Sequence, residues 1–459
     1  MDRMSVKRYL FLLISILGYS LFAFYIQRPD TINLFIAYSF LFLAYWQICK
    51  SDNKREIQFW LAAGIFFRII FLLSIPNLSD DFYRFIWDGR LLANGLHPFS
   101  HLPSYYIENK IAIEGIDQHL FEKLNSQNYF TIYPPVNQFI FFLAAKVAGN
   151  SIMGSIVMMR LFIIASEIGS FMVIKKLLLH YKLPEKNILL YVLNPLVIIE
   201  LTGNLHFEAL MIFFLLWGIW LLIQHKNLIS ALSFSLAICS KLLPIIILPL
   251  LFARLGFKRF LIYGSLVLMF CIFAFLPLLN ADIILGFRQS LGYYFTKFEF
   301  NASIYYLVRE WGFWKYGYNI IQTVGWKLGA WSFSFMLLYI LYDAFRKFKV
   351  TDSSAKIFWQ YTSLWNLDGR IWTSFLFVFL IHFSFATVMH PWYVATLVVF
   401  SIFTRFRFPV LWSALIFLTY TGYSSEGFTE NIWVVVAEYA MVFGYLAVDL
   451  LWKQKKHLS

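Results

Sequence analysis

The chain has 459 residues, of which 60% are hydrophobic and only 14% are charged, with 52 Phe, 27 Tyr and 16 Trp. This composition excludes a soluble globular domain and indicates a membrane protein with many spans. The formal net charge of +13 does not indicate a nucleic-acid-binding protein, because the basic residues form short clusters between apolar runs rather than a stripe with interleaved aromatics.

Apolar runs long enough to cross a bilayer of ~30 Å recur along the chain. Shorter runs between them suit half-helices or tilted spans, so we expect about 11 to 14 crossings. Helices satisfy the backbone in lipid, and the predicted fold class is all-α, a single polytopic bundle over residues 1–459. The long runs are 9–26, 32–49, 57–75, 155–174, 188–203, 209–223, 260–279, 319–341, 372–389 and 432–451, and the short runs are 134–148, 228–240, 242–253, 391–404 and 408–422.

The basic clusters predict the orientation of the bundle, because Lys and Arg concentrate in cytoplasmic loops. Both termini are then inside, residues 76–133 form a large first outer loop, and residues 280–318 form a second. The first apolar run lacks a small-residue cleavage site and is interpreted as an anchor. Run 134–148 is predicted to be re-entrant or to lie on the membrane surface. The clusters are Arg3/Lys7/Arg8, Lys50/Lys54/Arg55, Lys175/Lys176/Lys182/Lys186, Arg254/Lys258/Arg259, Arg346/Lys347/Lys349, Arg405/Arg407 and Lys453/Lys455/Lys456.

The first outer loop contains a charged stretch, residues 79–90, within a mostly apolar chain. Residues 82–94 are predicted to form a helix that Ser79 or Asp80 caps and that stops at Asn94-Gly95, with a proline shortly beyond. Further along the loop, an apolar stripe from Ile116 to Leu124 between polar residues predicts a short helix on the membrane surface.

On the helix over residues 82–94, Asp81, Arg84 and Asp88 fall on one face. Two interpretations of this ridge remain open. It binds substrate, or its acidic residues complement the helix macrodipole while Arg84 pairs with Asp88 on a solvated surface. Asp80 and Asp81 are neighbours and do not share a face, so one is expected to meet substrate while the other caps the helix or binds a cation.

Ionisable residues within or beside the spans must have partners, since each costs on the order of 3 kcal/mol at bilayer depth. Arg160 and Glu167 lie seven residues apart on one helix face, where they either form ion pairs that hold the bundle together or serve the site. Lys241, three residues before Pro244, separates two short apolar halves. A hairpin of half-helices is expected to carry Lys241 to the outer side, within reach of an anionic group.

Other motifs carry little information. The histidines have no zinc-site spacing, and the chain has no P-loop, dinucleotide fingerprint or nucleophile elbow. Cys49, Cys239 and Cys271 lie in or beside apolar runs and imply no disulfide framework. Asn301-Ala302-Ser303 matches a glycosylation acceptor pattern, a match short enough to arise by chance.

Several motifs in a fixed order span residues 77 to about 393. This ordered set resembles the membrane glycosyltransferases of the GT-C class, in particular the bacterial polyprenol-phosphate-mannose-dependent α-mannosyltransferases and the first mannosyltransferase of GPI-anchor synthesis. The motifs are Asp80-Asp81 with Tyr83-Arg84, Trp87-Asp88-Gly89-Arg90, Gly95-Leu96-His97-Pro98-Phe99, Ile132-Tyr133-Pro134-Pro135-Val136, Leu193-Asn194-Pro195-Leu196, Gly203-Asn204-Leu205-His206-Phe207-Glu208, Ser240-Lys241-Leu242-Leu243-Pro244 and His390-Pro391-Trp392-Tyr393.

The resemblance implies transfer of a hexose, mannose in the relatives, from a polyprenyl-phosphate carrier to a glycan or glycolipid acceptor. It implies an integral protein of the bacterial inner (cytoplasmic) membrane with the active site facing the periplasm or exterior. Asp80 or Asp81 would be the general base. The eukaryotic relatives carry D-x-D where this chain has adjacent aspartates, and relatives often have Asp where this chain has Glu208. No cofactor is certain, and the pair Asp80/Asp81 leaves open a weak divalent site for Mg²⁺ or Mn²⁺.

The remaining candidate residues are assigned to substrate. Cationic groups would neutralise the departing phosphate, and aromatic faces would meet sugar rings. The candidate cations are Arg84, Arg160, Lys241 and His206, the aromatics are Trp87, Tyr133, Trp392 and Tyr393, and further substrate-binding candidates are Asp88, Arg90, Asn204, Glu208 and His390.

Two other classes fit a polytopic chain with intramembrane charges. A transporter or lipid-linked-glycan flippase often shows internal repeats, and none is convincing between the two halves; it also does not need a long acidic outer loop. A structural membrane protein without catalysis would not need several buried charges.

Overall fold

The computed structural model describes residues 3–279, 281–351 and 367–456. These residues form an all-α bundle whose only strands are the short antiparallel pair β1 (Tyr423–Ser424) and β2 (Gly427–Phe428). The helices are α1 (Arg3–Phe24), α2 (Thr31–Ile48), α3 (Lys54–Ile70), α4 (Asp81–Ala93), α5 (Pro103–Glu108), α6 (Gln118–Glu122), α7 (Pro135–Ala148), α8 (Ile152–His180), α9 (Leu189–Val192), α10 (Glu208–Ile223), α11 (Asn227–Ser240), α12 (Phe252–Leu255), α13 (Phe257–Phe275), α14 (Ala281–Thr296), α15 (Ile304–Tyr316), α16 (Ile321–Thr351), α17 (Arg370–Phe385), α18 (Val394–Ser401), α19 (Phe408–Leu415) and α20 (Ile432–Lys456). Five 3₁₀ segments (Glu185–Ile188, Leu243–Leu251, Leu276–Leu278, Pro391–Tyr393 and Ile416–Gly422) and a π-helical segment (Val197–Gly203) complete the helical structure of the described residues.

The membrane-spanning character that the composition predicts is evident in helix length and apolarity. Among the described residues, six helices are long and apolar enough to cross a membrane, and a bent pair of segments would make a seventh. Shorter apolar helices of 10–17 residues cover most of the five short runs, and they also cover the runs 209–223 and 372–389, which the sequence predicts as full spans. The six are Val6–Phe24, Thr31–Ile48, Ile152–His180, Phe257–Leu278, Ile321–Lys347 and Ile432–Leu451.

The run 188–203, predicted as one span, is instead broken, and its two halves meet at 55°. Asn194 and Pro195 cause the break. The residue before a proline is disfavoured in the α conformation, and the Asn194 side chain accepts a hydrogen bond from the Leu196 backbone N–H at 3.0 Å, which starts a new segment. That segment is π-helical, a geometry frequent at functional sites, and it carries Glu200 toward one end of the bundle.

The loops gather at two opposite ends. At one, the basic end (residues 49–55, 181–188, 254–258, 367–370 and 402–407), Lys186 pairs with Asp52 at 2.7 Å and Asn187 donates to the Ile402 carbonyl at 2.9 Å. At the other, the site end (residues 25–30, 72–133, 200–208, 241–243, 297–303 and 387–393), the Leu78 N–H donates to Asn204 Oδ1 at 3.3 Å. Most basic clusters thus lie at one end and the paired aspartates at the other.

Residues 76–133, which the sequence predicts as a large outer loop, are packed against the rest of the bundle. Its helix α4 lies against α7, and Gln138 of α7 donates to Asp88 of α4 at 2.9 Å. Helix α7 starts beside Tyr133 at the site end, and α8 alone then carries the chain to the basic end. That run 134–148 is re-entrant or lies on the membrane surface stays a prediction.

Gly89 permits the close approach of α4 to α7. A Cβ added at Gly89 would lie 2.2 Å from the Phe141 carbonyl oxygen, so Gly89→Ala must push the helices apart. We expect it to destabilise the protein by about 2 kcal/mol or more. Thermal unfolding of the detergent-solubilised protein measures this loss. Gly264→Ala is the matched control, because Gly264 is also helical and an added Cβ there meets nothing within 4 Å; equal unfolding temperatures for the two variants would contradict the prediction.

Candidate active site

Helix α4 begins at Asp81 and ends at Ala93, one residue from the predicted bounds at each end. The stop signal is confirmed, since Asn94 is the C-cap and Gly95 follows with a φ of +74°. Asp80 is the residue before the helix, but its side chain does not cap it. The carboxylate of Asp80 turns instead toward the α1–α2 turn.

Asp80 forms an ion pair with Arg28, a residue that the sequence did not single out. The Arg28 guanidinium also lies over the ring of Tyr423, 5.1 Å from its centroid. One sequence feature could have identified Arg28. It is a lone basic residue in a turn on the side where Lys and Arg are scarce, whereas such residues normally concentrate in the cytoplasmic loops.

Asp81 has two neutral partners. Asn125 Nδ2 donates to Asp81 Oδ1 at 2.7 Å, and the Tyr133 hydroxyl lies 3.4 Å from Asp81 Oδ2. Burial, together with the negative charge of Asp81, raises the pKa of Tyr133 well above its usual value. Tyr133 therefore stays protonated and is a hydrogen-bond donor to Asp81. The two aspartates thus have different partners, as their adjacent positions predict.

The predicted hairpin around Lys241 is present. Helix α11 and the segment Leu243–Leu251 form its arms, and Lys241 at the apex pairs with Glu208 at the start of α10. The Lys241 ammonium lies 3.9 Å from the centroid of the Tyr393 ring. Burial lowers the pKa of Lys241, although Glu208 and Asp81 act in the opposite direction. Lys241 and Asp81 are therefore electrostatic neighbours.

A second buried polar group surrounds Glu200 on the π-helical segment. The Tyr420 hydroxyl donates to Glu200 Oε1 at 2.7 Å, and Asn204 Nδ2 donates to Glu200 Oε2 at 3.1 Å. His206 Nδ1 lies 2.8 Å from the Glu200 backbone carbonyl. This network fixes the turn after the π-helical segment, so that Asn204 supports the α3–α4 connection next to the aspartates.

Trp392 is stacked between two imidazoles. Its ring centroid lies 3.6 Å from that of His206 and 4.3 Å from that of His390, with interplanar angles of 19° and 11°. Two nearly parallel rings at those separations must lie on opposite faces, so both faces of the Trp392 indole are covered. Burial, with smaller contributions from Lys241 and His206, lowers the pKa of His390 to about 3, so its imidazole is neutral.

Some of these residues line an open cavity of about 100 Å³ at the site end. The cavity brings together side chains from six distant parts of the chain: the α1–α2 turn, the start of α4, the loop after α6, the loop before α15, the segment before α18, and the β1 region. The lining residues are Arg28, Leu78, Ser79, Asp80, Asp81, Asn125, Phe300, His390, Pro391, Trp392, Tyr420 and Tyr423. Arg28, Asn125, Phe300, Tyr420 and Tyr423 were not predicted from the sequence.

Four predicted substrate-binding residues on α4 lie away from this cavity. Arg84 is buried, pairs with Asp88 at 2.8 Å and donates to the Tyr129 carbonyl at 2.8 Å. Trp87 is fully buried in the core, and Arg90 donates to the backbone carbonyls of Gly115 and Asn150. The Arg84–Asp88 pair does form, but in the protein interior rather than on the solvated surface that the structural interpretation assumed.

Arg160 is also a structural residue in this bundle. It is fully buried, and its guanidinium donates to the backbone carbonyls of Leu72, Ser74, Thr202 and Gly203 at 2.7–3.2 Å. Glu167 does not pair with Arg160, since its partner is Arg68 at 2.7 Å. The spacing of seven residues placed Arg160 and Glu167 on one helix face but could not show which neighbouring helix supplies the partner.

The aromatic faces predicted to meet sugar are mostly occupied by protein. Besides Trp87 and Trp392, Tyr393 has Lys241 over its ring and Phe383 stacked at 5.8 Å. Tyr133 packs its ring against Phe85 and Phe141 and turns its hydroxyl to Asp81. The aromatic side chains that newly line the cavity are Phe300, Tyr420 and Tyr423.

The paired aspartates do not fit a divalent cation as the side chains stand. Asp80 is engaged by Arg28 and Asp81 by Asn125. Within residues 3–279, 281–351 and 367–456, no group of three or more His, Cys, Asp or Glu side chains could hold a metal ion. The chemistry considered below is therefore assigned to side chains alone.

Comparison with known proteins places the sequence in a family. The family described as alpha-(1->6)-mannopyranosyltransferase, N-terminal domain, matches residues 15–255, slightly more than half of the chain. The alpha-(1->6)-mannopyranosyltransferase A of Mycobacterium tuberculosis (strain ATCC 25618 / H37Rv) is 30% identical over 185 residues, which cover 39% of this chain and 34% of that protein. No solved structure matches. The matched region contains the paired aspartates, Glu200 and Lys241, and the chain belongs to the alpha-(1->6)-mannopyranosyltransferase family.

Proposed function

We propose that this protein transfers mannose from a polyprenyl-phosphate carrier to a hydroxyl group of a glycan or glycolipid, at the site end of the bundle. One observation carries the proposal. Asp80 and Asp81 line a cavity at the end opposite the basic clusters, and Lys241 lies within electrostatic reach of Asp81. A proton acceptor and a cation are the two groups that glycosyl transfer from a phosphate requires.

In the proposed reaction Asp81 is the general base. Its partners are the neutral Asn125 and Tyr133, whereas a carboxylate oxygen of Asp80 is occupied by Arg28. Asp81 takes the proton of the acceptor hydroxyl as the acceptor oxygen bonds to the anomeric carbon. The bond from that carbon to the phosphate oxygen breaks, and its electron pair leaves with the polyprenyl phosphate. Attack opposite the leaving group inverts the anomeric carbon, as the GT-C resemblance implies.

The leaving phosphate gains one negative charge when this bond breaks, so a nearby cation stabilises the transition state more than the ground state. Lys241 is assigned this role, because Glu208 holds it in place and the charge of Asp81 acts on its ammonium group. Because the basic clusters mark the cytoplasmic side, the site end faces the periplasm or exterior of a bacterial inner membrane in this proposal.

The deciding experiment measures mannose transfer from two different donors and, separately, sugar uptake into sealed vesicles. Purified protein in detergent is expected to transfer labelled mannose from polyprenyl-phosphate-mannose to a mannoside acceptor and to leave a nucleotide-linked mannose unused. Uptake of the lipid-linked or free sugar into sealed vesicles without transfer would instead support a transporter. Transfer from the nucleotide donor alone would refute the proposed carrier.

Lys241→Met is expected to lower the transfer rate about 10²-fold or more, because it removes a charge aimed at the departing phosphate. Steady-state kinetics with polyprenyl-phosphate-mannose measure the loss, and Lys241→Arg is expected to restore part of it. Lys146→Met is the control, since Lys146 is an exposed lysine of α7. A Lys241→Met protein as active as the control would exclude Lys241 from the reaction.

A further inference from the structure

Arg28 lies on a turn whose conformation is fixed by hydrogen bonds. The Gln27 N–H donates to Asp30 Oδ2 at 3.0 Å, and the Gln27 side chain donates to Asn77 Oδ1 at 3.2 Å. Asn77 in turn donates to the Phe22 carbonyl at 3.3 Å. The turn is thereby tied both to the end of α1 and to the segment just before Asp80, so Arg28 is held at the rim of the cavity.

Among the described residues that line the cavity, Arg28 is the one cation, because the imidazole of His390 is neutral. The other arginines at this end serve the fold. Arg84, Arg90 and Arg160 are buried and donate to backbone carbonyls. Lys241 is held on Glu208 and does not line the cavity, so in the proposed reaction it acts on the leaving phosphate through its charge and not by contact.

The Arg28–Asp80 ion pair lies where another anion can reach the Arg28 guanidinium. The side chains are 21% and 45% exposed, so both reach water at the cavity mouth. An ion pair that water reaches contributes less net stability than a fully buried one, so a competing anion can open it. A guanidinium has five N–H donors in a planar fork that matches two phosphate oxygens, a better acceptor set than one carboxylate oxygen.

We propose that Arg28 is the phosphate-binding residue of this cavity and that Asp80 holds its guanidinium in place until a phosphate displaces the carboxylate. The inference rests on the proposed function, which supplies the phosphate-linked sugar. It assigns Asp80 a role distinct from that of Asp81. The Asp80 carboxylate competes with the phosphate for the Arg28 guanidinium, whereas Asp81 is the proton acceptor. Tyr423 supports the guanidinium from its ring face in both states.

A double-mutant cycle on ligand binding tests this assignment without requiring catalysis. The probe is polyprenyl phosphate without sugar, titrated against the full-length protein in detergent. Arg28→Gln is expected to weaken binding about tenfold or more, and Arg28→Lys less. Asp80→Asn is expected to tighten binding several-fold, since it removes the competitor. In the Arg28→Gln background, Asp80→Asn is expected to give no tightening.

Arg309→Gln is the matched control. Arg309 also pairs with a carboxylate, that of Glu299 at 3.1 Å, and lies over a tyrosine ring at 4.1 Å, but it does not line the cavity. The Arg309→Gln variant is expected to bind polyprenyl phosphate with the same affinity as the wild type. Equal affinities for Arg28→Gln and Arg309→Gln, or weaker binding in Asp80→Asn, would overturn the inference.

Parallel titrations with inorganic phosphate and GDP identify the source of the phosphate. Arg28-dependent binding of polyprenyl phosphate alone supports a lipid carrier, and equal Arg28-dependent binding of GDP supports a soluble phosphate ligand in the same site. The two proposals fail separately. A protein that binds polyprenyl phosphate through Arg28 but transfers no mannose contradicts the proposed function only, whereas transfer that is indifferent to Arg28→Gln, with unchanged binding, contradicts this inference only.

Discussion

Asp81→Asn is expected to lower mannosyl transfer about 10³-fold while the protein still inserts and folds. The loss follows from removal of the proton acceptor, since a positioned general base contributes typically ~10²–10⁴-fold. The fold should persist because an asparagine oxygen can still accept the hydrogen bond that Asn125 donates to Asp81 at 2.7 Å. Transfer from polyprenyl-phosphate-mannose, measured at saturating donor, gives the change in kcat.

Asp117→Asn is the control for this variant. Asp117 lies in the same outer loop and caps α6 by accepting from the Leu120 N–H at 2.8 Å, a role that asparagine also performs. Asp80→Asn is expected to act mainly on donor affinity. At least one of Asp80→Asn and Asp81→Asn must lose transfer by orders of magnitude, and full activity in both single variants and in the double variant would end the assignment.

Arg68→Met is expected to destabilise the bundle by about 3–5 kcal/mol, the cost of leaving a buried charge without its partner. Arg68 and Glu167 are both fully buried and pair at 2.7 Å, and Arg68 also donates to the Val192 carbonyl at 2.8 Å. The variant therefore loses contacts among α3, α8 and α9 together. Thermal or denaturant unfolding in detergent measures the loss.

Two further variants make this test specific. The double variant Arg68→Met/Glu167→Met removes both charges and is expected to recover part of the stability, because apolar pairs can replace buried ion pairs. Arg8→Met is the control, since Arg8 pairs with Glu56 at 3.1 Å near the surface, where such a pair contributes about 1 kcal/mol or less. A loss in Arg68→Met no greater than that in Arg8→Met would contradict the prediction.

Local sequence patterns were sufficient to predict the secondary-structure elements that carry the site residues. The sequence Asn94-Gly95 marked the end of α4, and the apolar halves around Lys241 and Pro244 predicted the hairpin that brings Lys241 to Glu208. In each case the information lies within a few residues of the element. Hydrophobic run length identified the six helices that are long enough to cross a bilayer. Four further runs predicted as spans, 57–75, 188–203, 209–223 and 372–389, form shorter or broken helices.

The partners of these elements could not be predicted. Arg28 and Asp80 are 52 residues apart, and Tyr420 reaches Glu200 across 220 residues. Helical spacing put Asp81, Arg84 and Asp88 on one face but did not reveal that the loop at residues 126–129 folds over that face and buries Arg84. Long-range packing decides which polar side chains remain in the cavity.

The glycosylation pattern at Asn301 has a practical consequence for producing this protein. Asn301 is fully buried. Its side-chain Nδ2 donates to Glu438 at 3.2 Å, and its backbone carbonyl oxygen accepts from the Tyr439 hydroxyl at 2.7 Å. In a eukaryotic host the proposed orientation exposes this segment to the lumen of the endoplasmic reticulum, where oligosaccharide is attached to nascent, still unfolded chains. A sugar tree on Asn301 would occupy the space that α20 must fill, so expression in bacteria is the route to correctly assembled material.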